Sequence, residues 1–206
     1  MSWHLQYLKY KHLASELVSA QSEYDMTSEI IKIAGVEFAE YKNSWAAHNQ
    51  VDLSINSQEQ YVQVEAQVKE RSVSSTKNKK LAKTAKKSSK IFSRIYKLIA
   101  KKIHPDKFAS FEHTPEIEEK KEMYKKAASG MSFSKWADVL EVALELGVKP
   151  TNLTEINAQI QIEIQNIKDL ISFSKTTYGW KFYECQDDYA CKDKVVRSCV
   201  ESFYKK

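Results

Sequence analysis

The side chains best suited to chemistry lie together near the middle of the 206-residue chain. His104 and Asp106 flank Pro105, and an imidazole beside a carboxylate can transfer a proton or bind a metal ion. The other histidines show no ligand spacing with His104: they are His4, His12, His48 and His113. The sequence also lacks a phosphate-binding glycine loop. We therefore expect no metal site, no cofactor and no enzymatic activity.

The cysteines lie in the C-terminal tail, at Cys185, Cys191 and Cys199. An odd number without a C-x-x-C pair favours buried or free thiols over zinc ligands or a disulfide scaffold. The N-terminus lacks the basic and apolar regions of a secretory signal, and no stretch is apolar enough to span a membrane. These features predict a cytoplasmic protein without a membrane partner.

The net charge of +5 is distributed unevenly along the chain. Residues 69–107 contain 14 Lys and Arg against 2 acids, a balance of +12. Residues 1–68 have a balance of −5, and residues 108–206 have a balance of −2. So concentrated a positive charge favours a partner with an acidic protein face, a nucleic acid or an anionic membrane surface.

Only four glycines and three prolines interrupt the chain, which favours long helices. Apolar residues at alternating steps of three and four predict helices over residues 3–45 and 154–175, packed in a small bundle or a coiled coil. Residues 51–68 alternate with a period of two, which favours a β-hairpin, although their glutamines also allow a helix. The aromatic residues of the tail after residue 176 are expected to fold back on the helices.

A basic helix is expected to lead up to the His-Pro-Asp tripeptide. Bases recur at steps of three and four from Lys80 to Lys101, so one face of this helix would carry a basic stripe. Pro105 ends the helix, because the residue before a proline is disfavoured in the helical conformation.

Two further helices are predicted after the tripeptide. Thr114 is a suitable N-cap and Pro115 a suitable first residue for a helix that ends near Gly130. Another helix is expected over residues 134–146, with Gly147 as its terminator.

The segment Tyr-Lys-Leu-Ile-Ala-Lys-Lys-Ile-His-Pro-Asp-Lys, residues 96–107, resembles the J domain of DnaJ-type co-chaperones. The second helix of that family usually has Tyr eight, an aliphatic five, Ala four and Lys two residues before the His. These places are filled by Tyr96, Ile99, Ala100 and Lys102. Ile103 stands where an aromatic residue is common. The resemblance covers about residues 88–148, and the family's first helix is not visible before residue 88.

The resemblance implies binding to a DnaK-type ATPase chaperone and stimulation of its ATP hydrolysis. Pro105 would fix the backbone so that Asp106 meets an arginine of the chaperone, while the lysines steer the approach. The side chains implied in chaperone binding are His104, Pro105, Asp106, Lys90, Arg94, Lys97, Lys101, Lys102 and Lys107. Those implied in packing of the J core are Ile95, Tyr96, Ile99, Tyr124 and Ala127.

The expected fold class is therefore mainly α, a J-domain helical hairpin flanked by long N- and C-terminal helices. The expected domains are a helical arm at 1–50, a hairpin and basic linker at 51–87, a J domain at 88–148, and a helix with an aromatic, cysteine-containing tail at 149–206. The arms would select a client protein and support a homo-oligomer. Compact J proteins of this kind resemble those of viruses and phages, which would place the chain in a host cytoplasm.

Two other functions are compatible with the sequence. The lysines of residues 69–107 are dense enough to bind the phosphates of a nucleic acid, although the segment lacks the Asn, Gln and Arg cluster that reads base edges. The chain could alternatively be a structural helical protein with a degenerate J core.

Overall fold

The computed structural model describes residues 2–53, 78–108 and 114–203, with the side chains of residues 78–88 left out. This part of the chain is mainly helical and contains no strand, which confirms the predicted mainly α class. The predicted β-hairpin falls largely on residues 54–68, outside the described residues. Within the described ranges the helices are α1 (Trp3–His48), α2 (Asn78–Ile103), a 3-10 turn (Pro105–Phe108), α3 (Pro115–Phe133), α4 (Trp136–Glu145), α5 (Leu153–Ser174), α6 (Tyr178–Glu184) and α7 (Tyr189–Phe203).

The predicted signals at the start of α3 and after α4 are confirmed. The Oγ1 of Thr114 accepts a hydrogen bond from the backbone N–H of Ile117, and Pro115 is the first residue of α3. Gly147 follows α4 with a φ of +58°, a left-handed conformation that glycine adopts without a steric penalty. Its N–H donates to the carbonyl oxygen of Leu144, so the glycine ends the helix as expected.

The predicted boundary between α3 and α4 is wrong by two to three residues. Helix α3 continues past Gly130 to Phe133, and Ser134 is its left-handed C-cap with a φ of 58°. A Cβ atom at Gly130 would lie 2.9 Å from the carbonyl oxygen of Lys135 and 3.0 Å from the Cβ of Asp138. Glycine is therefore needed at this position for the close approach of the α3–α4 connection, and it does not end the helix.

The chain divides into two compact units, Met1–Ser22 with Lys79–Ile167 and Glu23–Asn78 with Lys168–Lys206. The sequence-based segments follow chain order, whereas each unit gathers residues from distant parts of the chain. In the first unit Phe92 stacks on Trp136 with ring centroids 4.7 Å apart. Around this pair the core is built from buried aliphatic and aromatic side chains, among them Tyr10, Leu17, Ile95, Ile99, Leu140 and Ile160.

The second unit has a smaller core. Phe182 of α6 packs edge-on against Phe38 and Tyr41 of α1, in a cluster that also contains Cys199. The Tyr41 hydroxyl donates a 2.8 Å hydrogen bond to Oδ1 of Asp193. Partial burial and this bond raise the pKa of Tyr41.

The expectation of three thiols is corrected in the second unit. Cys185 and Cys191 form a disulfide that closes the turn between α6 and α7. Cys199 is a free, buried thiol. The sequence contains no C-x-x-C signal for the pair. It forms because the chain turns back between two helices and brings positions six residues apart to a Cα–Cα distance of 5.5 Å.

Candidate functional site

Helix α2 carries apolar side chains on one face and basic side chains on the other, as its sequence predicts. Its apolar residues recur at intervals of four and are buried in the core of the first unit: Ile91, Ile95, Ile99 and Ile103. Lys90, Lys97 and Lys101 are exposed. The stripe lysines that precede them, at positions 80, 83 and 87, lie outside the described side chains. The burial of the isoleucines thus orients the later lysines toward solvent.

The His-Pro-Asp tripeptide forms a closed turn at the C-terminal end of α2. The N–H of His104 donates to the carbonyl oxygen of Ala100, and the N–H of Lys107 donates back to the carbonyl oxygen of His104. Helix α2 ends before Pro105, and the 3-10 turn begins at that residue. Lys107 Nζ also donates to the carbonyl oxygen of Lys101. These bonds fix the backbone on both sides of the proline.

Asp106 extends into solvent from this turn, with 88% of its side chain exposed. Its N–H donates a 3.3 Å hydrogen bond to Nδ1 of His104, and its Oδ2 lies 3.3 Å from the same nitrogen. A neutral Nδ1 accepts the N–H, whereas the carboxylate forms an ion pair only with a protonated imidazole. In either state most of the carboxylate surface remains available to a partner.

A tyrosine of α3 contacts both the turn and α2. The Tyr124 ring meets the His104 imidazole edge-on, with centroids 5.2 Å apart and an interplanar angle of 74°. The Tyr96 hydroxyl donates a 2.9 Å hydrogen bond to the Tyr124 hydroxyl. Partial burial, followed by this hydrogen bond, raises the pKa of Tyr96 to about 12. Of the residues expected to pack in the J core, Ile95, Ile99 and Ala127 are buried, and Tyr96 and Tyr124 pack against the cluster that contains them.

The five basic side chains of α2 that were expected at the site fall into two groups. Lys90, Lys97 and Lys101 are exposed and form no ion pair with a described side chain. By contrast, Arg94 Nη1 lies 3.4 Å from Oε2 of Glu155 on α5, and Lys102 Nζ donates a 2.6 Å hydrogen bond to the carbonyl oxygen of Leu146. Arg94 and Lys102 therefore make contacts within the first unit, although both are also exposed to solvent.

Sequence reasoning did not identify the partners Glu155 and Leu146, nor the contact between Tyr124 and His104. These pairs are 61, 44 and 20 residues apart along the chain, and no local pattern links them. The acid at Glu155 in the first turn of α5 was the one available signal, because an acid is common at a helix start. That signal predicts a favourable position for the acid but no arginine partner.

Within residues 2–53, 78–108 and 114–203, no three side chains of His, Cys, Asp or Glu lie close enough to hold a metal ion. None of the helices in this part of the chain is both long and apolar enough to cross a membrane.

The chain matches no protein-family model, and no curated protein or solved structure is significantly similar to it. The residues of the site and their geometry therefore carry the functional proposal.

Proposed function

We propose that this chain is a J-domain co-chaperone that binds a DnaK-type chaperone and stimulates its ATP hydrolysis. The observation that carries the proposal is the exposed Asp106 carboxylate on a backbone-fixed turn at the end of a basic helix. A carboxylate held in this way suits a directional, charge-assisted hydrogen bond to an arginine. This arrangement requires no nucleophile, metal ion or cofactor in the chain itself.

The contacts between α2 and α3 support a J-type helical hairpin. Ile99 of α2 and Ala127 of α3 belong to one buried cluster. Tyr96, one turn before Ile99, bonds to Tyr124, one turn before Ala127, while His104 at the end of α2 contacts the same Tyr124. The proposed hairpin requires α3, with Glu116 and Glu118 in its first turn, to run back along α2 from the His-Pro-Asp end.

The exposed lysines give the proposed site a means of attracting its partner. Lys97 and Lys101 lie one turn apart on the solvent side of α2, and Lys90 lies two turns before Lys97. Their charge would raise the rate of association with an acidic chaperone face more than the affinity of the final complex. We further propose that the helices outside the hairpin bind the client protein or a second copy of the chain, in the cytoplasm.

A nucleic acid is the second candidate partner, because the same three lysines are exposed and unpaired among the described side chains. Phosphate binding by such a face would be independent of base sequence and would weaken steeply with salt. This function would not require Asp106. Substitutions at the carboxylate therefore separate the two candidates.

The test of the proposed function is the steady-state ATPase rate of a purified DnaK-type chaperone with and without the full-length chain. We expect the rate to rise with the concentration of the chain and to saturate. A flat rate at every concentration, from a chain shown to be folded by circular dichroism, would contradict the proposal.

A further inference from the structure

We infer that Tyr124 is a positioning residue for His104, an inference that rests on the proposed function of the His-Pro-Asp turn. Tyr124 makes two contacts. Its hydroxyl accepts a hydrogen bond from the Tyr96 hydroxyl of α2, and its ring contacts the His104 imidazole edge-on. It therefore connects the body of the helix to the side chain that begins the turn.

The tyrosine is itself well fixed. Its ring is half-buried and packs against the core cluster of the first unit, and the Tyr96 ring lies 5.9 Å away in a tilted arrangement. The hydrogen bond between the two hydroxyls is 2.9 Å long, which is within the normal range. A ring fixed by packing and by a hydrogen bond loses little further freedom when it orders a neighbour.

The imidazole has few other constraints. Its side chain is 41% exposed, and its described polar partners, the N–H and the carboxylate of Asp106, both lie at 3.3 Å from Nδ1. A contact at that distance is at the long end for a hydrogen bond, so it fixes the ring weakly. The edge-on contact with Tyr124 supplies the missing constraint and turns Nδ1 toward the Asp106 backbone.

Loss of the ring should therefore lower the fraction of molecules in which His104 is correctly oriented. An edge-to-face aromatic pair contributes enough to change the ratio of oriented to misoriented imidazole by about three- to tenfold, so the competent fraction falls by up to that factor. When only a fraction of the molecules is competent to bind, the apparent dissociation constant rises by the same factor, while saturating partner restores the bound state. The effect is thus expected in the concentration that gives half-maximal stimulation rather than in the maximum.

The experiment compares four forms of the full-length chain: wild type, Tyr124→Leu, Tyr124→Phe and the exposed control Tyr189→Leu. The imidazole ¹⁵N shifts of His104, assigned with His104→Gln, report its orientation without any chaperone, because they respond to the hydrogen bond between Nδ1 and the Asp106 N–H far more strongly than to the ring current of Tyr124. ATPase titrations with a purified DnaK-type chaperone report the half-maximal concentration and the maximum. Thermal melts by circular dichroism give the folded fraction of each variant.

We expect Tyr124→Leu to move the His104 shifts and to raise the half-maximal concentration more than about twofold and up to about tenfold, with a maximum within about twofold of wild type. Tyr124→Phe keeps the ring, so its half-maximal concentration and its maximum should both stay within about twofold of wild type. The same is expected of Tyr189→Leu. Unchanged His104 shifts in Tyr124→Leu, or equal effects of the Leu and Phe variants, would overturn the inference. Wild type that fails to stimulate, while Tyr124→Leu still moves the His104 shifts, would support the positioning and overturn the proposed function.

Discussion

The side-chain amine of Lys102 donates a hydrogen bond of 2.6 Å to the backbone carbonyl oxygen of Leu146. This bond joins the C-terminal end of α2 to the residue that follows the last turn of α4. Carbonyl oxygens at the C-terminal end of a helix lack intrahelical donors and carry partial negative charge. A lysine amine supplies both a hydrogen-bond donor and a positive charge to such an oxygen. A residue expected to bind the chaperone thus also stabilises the first unit.

We predict that Lys102→Met lowers the free energy of unfolding by about 0.5–1 kcal/mol, a reduced value for a charged hydrogen bond because the lysine is exposed. Urea denaturation followed by circular dichroism measures the change. The neighbouring variant Lys101→Met is the matched control, since its amine has no partner among the described side chains. Equal stability of the two variants would show that the bond to Leu146 contributes nothing.

Charge reversal on α2 should slow association with the chaperone without unfolding the chain. We choose Lys90→Glu, Lys97→Glu and Lys101→Glu together and leave Arg94 in place, because reversal there would break its contact with Glu155. The association rate measured by stopped-flow fluorescence should fall about tenfold or more at low salt, and the difference from wild type should shrink as salt increases.

The control for the charge reversal is Lys194→Glu, an exposed lysine of α7. It should change the association rate little. A triple variant that keeps its chaperone rate but loses retention on a nucleic-acid column would favour the nucleic-acid candidate.

The cysteines should react as one free thiol and one disulfide. In protein purified without reductant, mass spectrometry after denaturation and alkylation should detect one modified residue, Cys199, and three after reduction. In the native state Cys199 should react slowly, because burial raises the pKa of its thiol, an effect that the charge of Lys42 only partly offsets.

Reduction of this disulfide should lower the free energy of unfolding by about 2 kcal/mol, from the loop entropy that a short closed loop removes. Cys185→Ser should have the free energy of unfolding of the reduced wild type, and reductant should not change it further. Three reactive thiols in the unreduced protein would contradict the pairing.

Alkaline pH should destabilise the chain, and Tyr96 should contribute to the loss. Its pKa is about 12 in the folded state against an ordinary value of 10.0, so the unfolded chain loses this proton first. The folded state then holds more protons between those values, and stability falls as the pH rises from about 10 to 12. Urea midpoints across this range should fall less in Tyr96→Phe than in the exposed control Tyr189→Phe. Identical slopes in the two variants would contradict the assignment.

The helices could be predicted from sequence because their signals are local. Pro105 and the Thr114-Pro115 pair marked the end of α2 and the start of α3, and apolar spacing gave α5 to within one residue at each end. Helix α7 was missed, although the Oδ1 of Asp188 accepts from the N–H of Cys191 at its start. Asp is common both before the first turn of a helix and in solvated turns. Asp188 alone therefore does not distinguish a helix start from a turn.

The candidate site could be predicted only in part, because only some of its features depend on local sequence. The tripeptide and the basic stripe are contiguous, so His104, Asp106 and Lys97 could be identified from the sequence. The division of the basic residues into exposed ones and ones with internal partners depends on contacts with α4 and α5. Such contacts are set by tertiary packing, and one sequence contains no pattern that reports them.

The most direct test of the central claim is single-turnover ATP hydrolysis by a DnaK-type chaperone preloaded with ATP, with wild type, Asp106→Asn or the exposed control Asp187→Asn. Asp106→Asn keeps the size of the side chain, and stability should change by less than about 0.5 kcal/mol because the residue is exposed on a turn. Loss of a partnered charge at an interface costs on the order of 2–5 kcal/mol, about thirty-fold or more in coupling. We predict acceleration by wild type and Asp187→Asn and none by a fully folded Asp106→Asn. Equal acceleration by Asp106→Asn and wild type would contradict the claim that this turn acts on a chaperone.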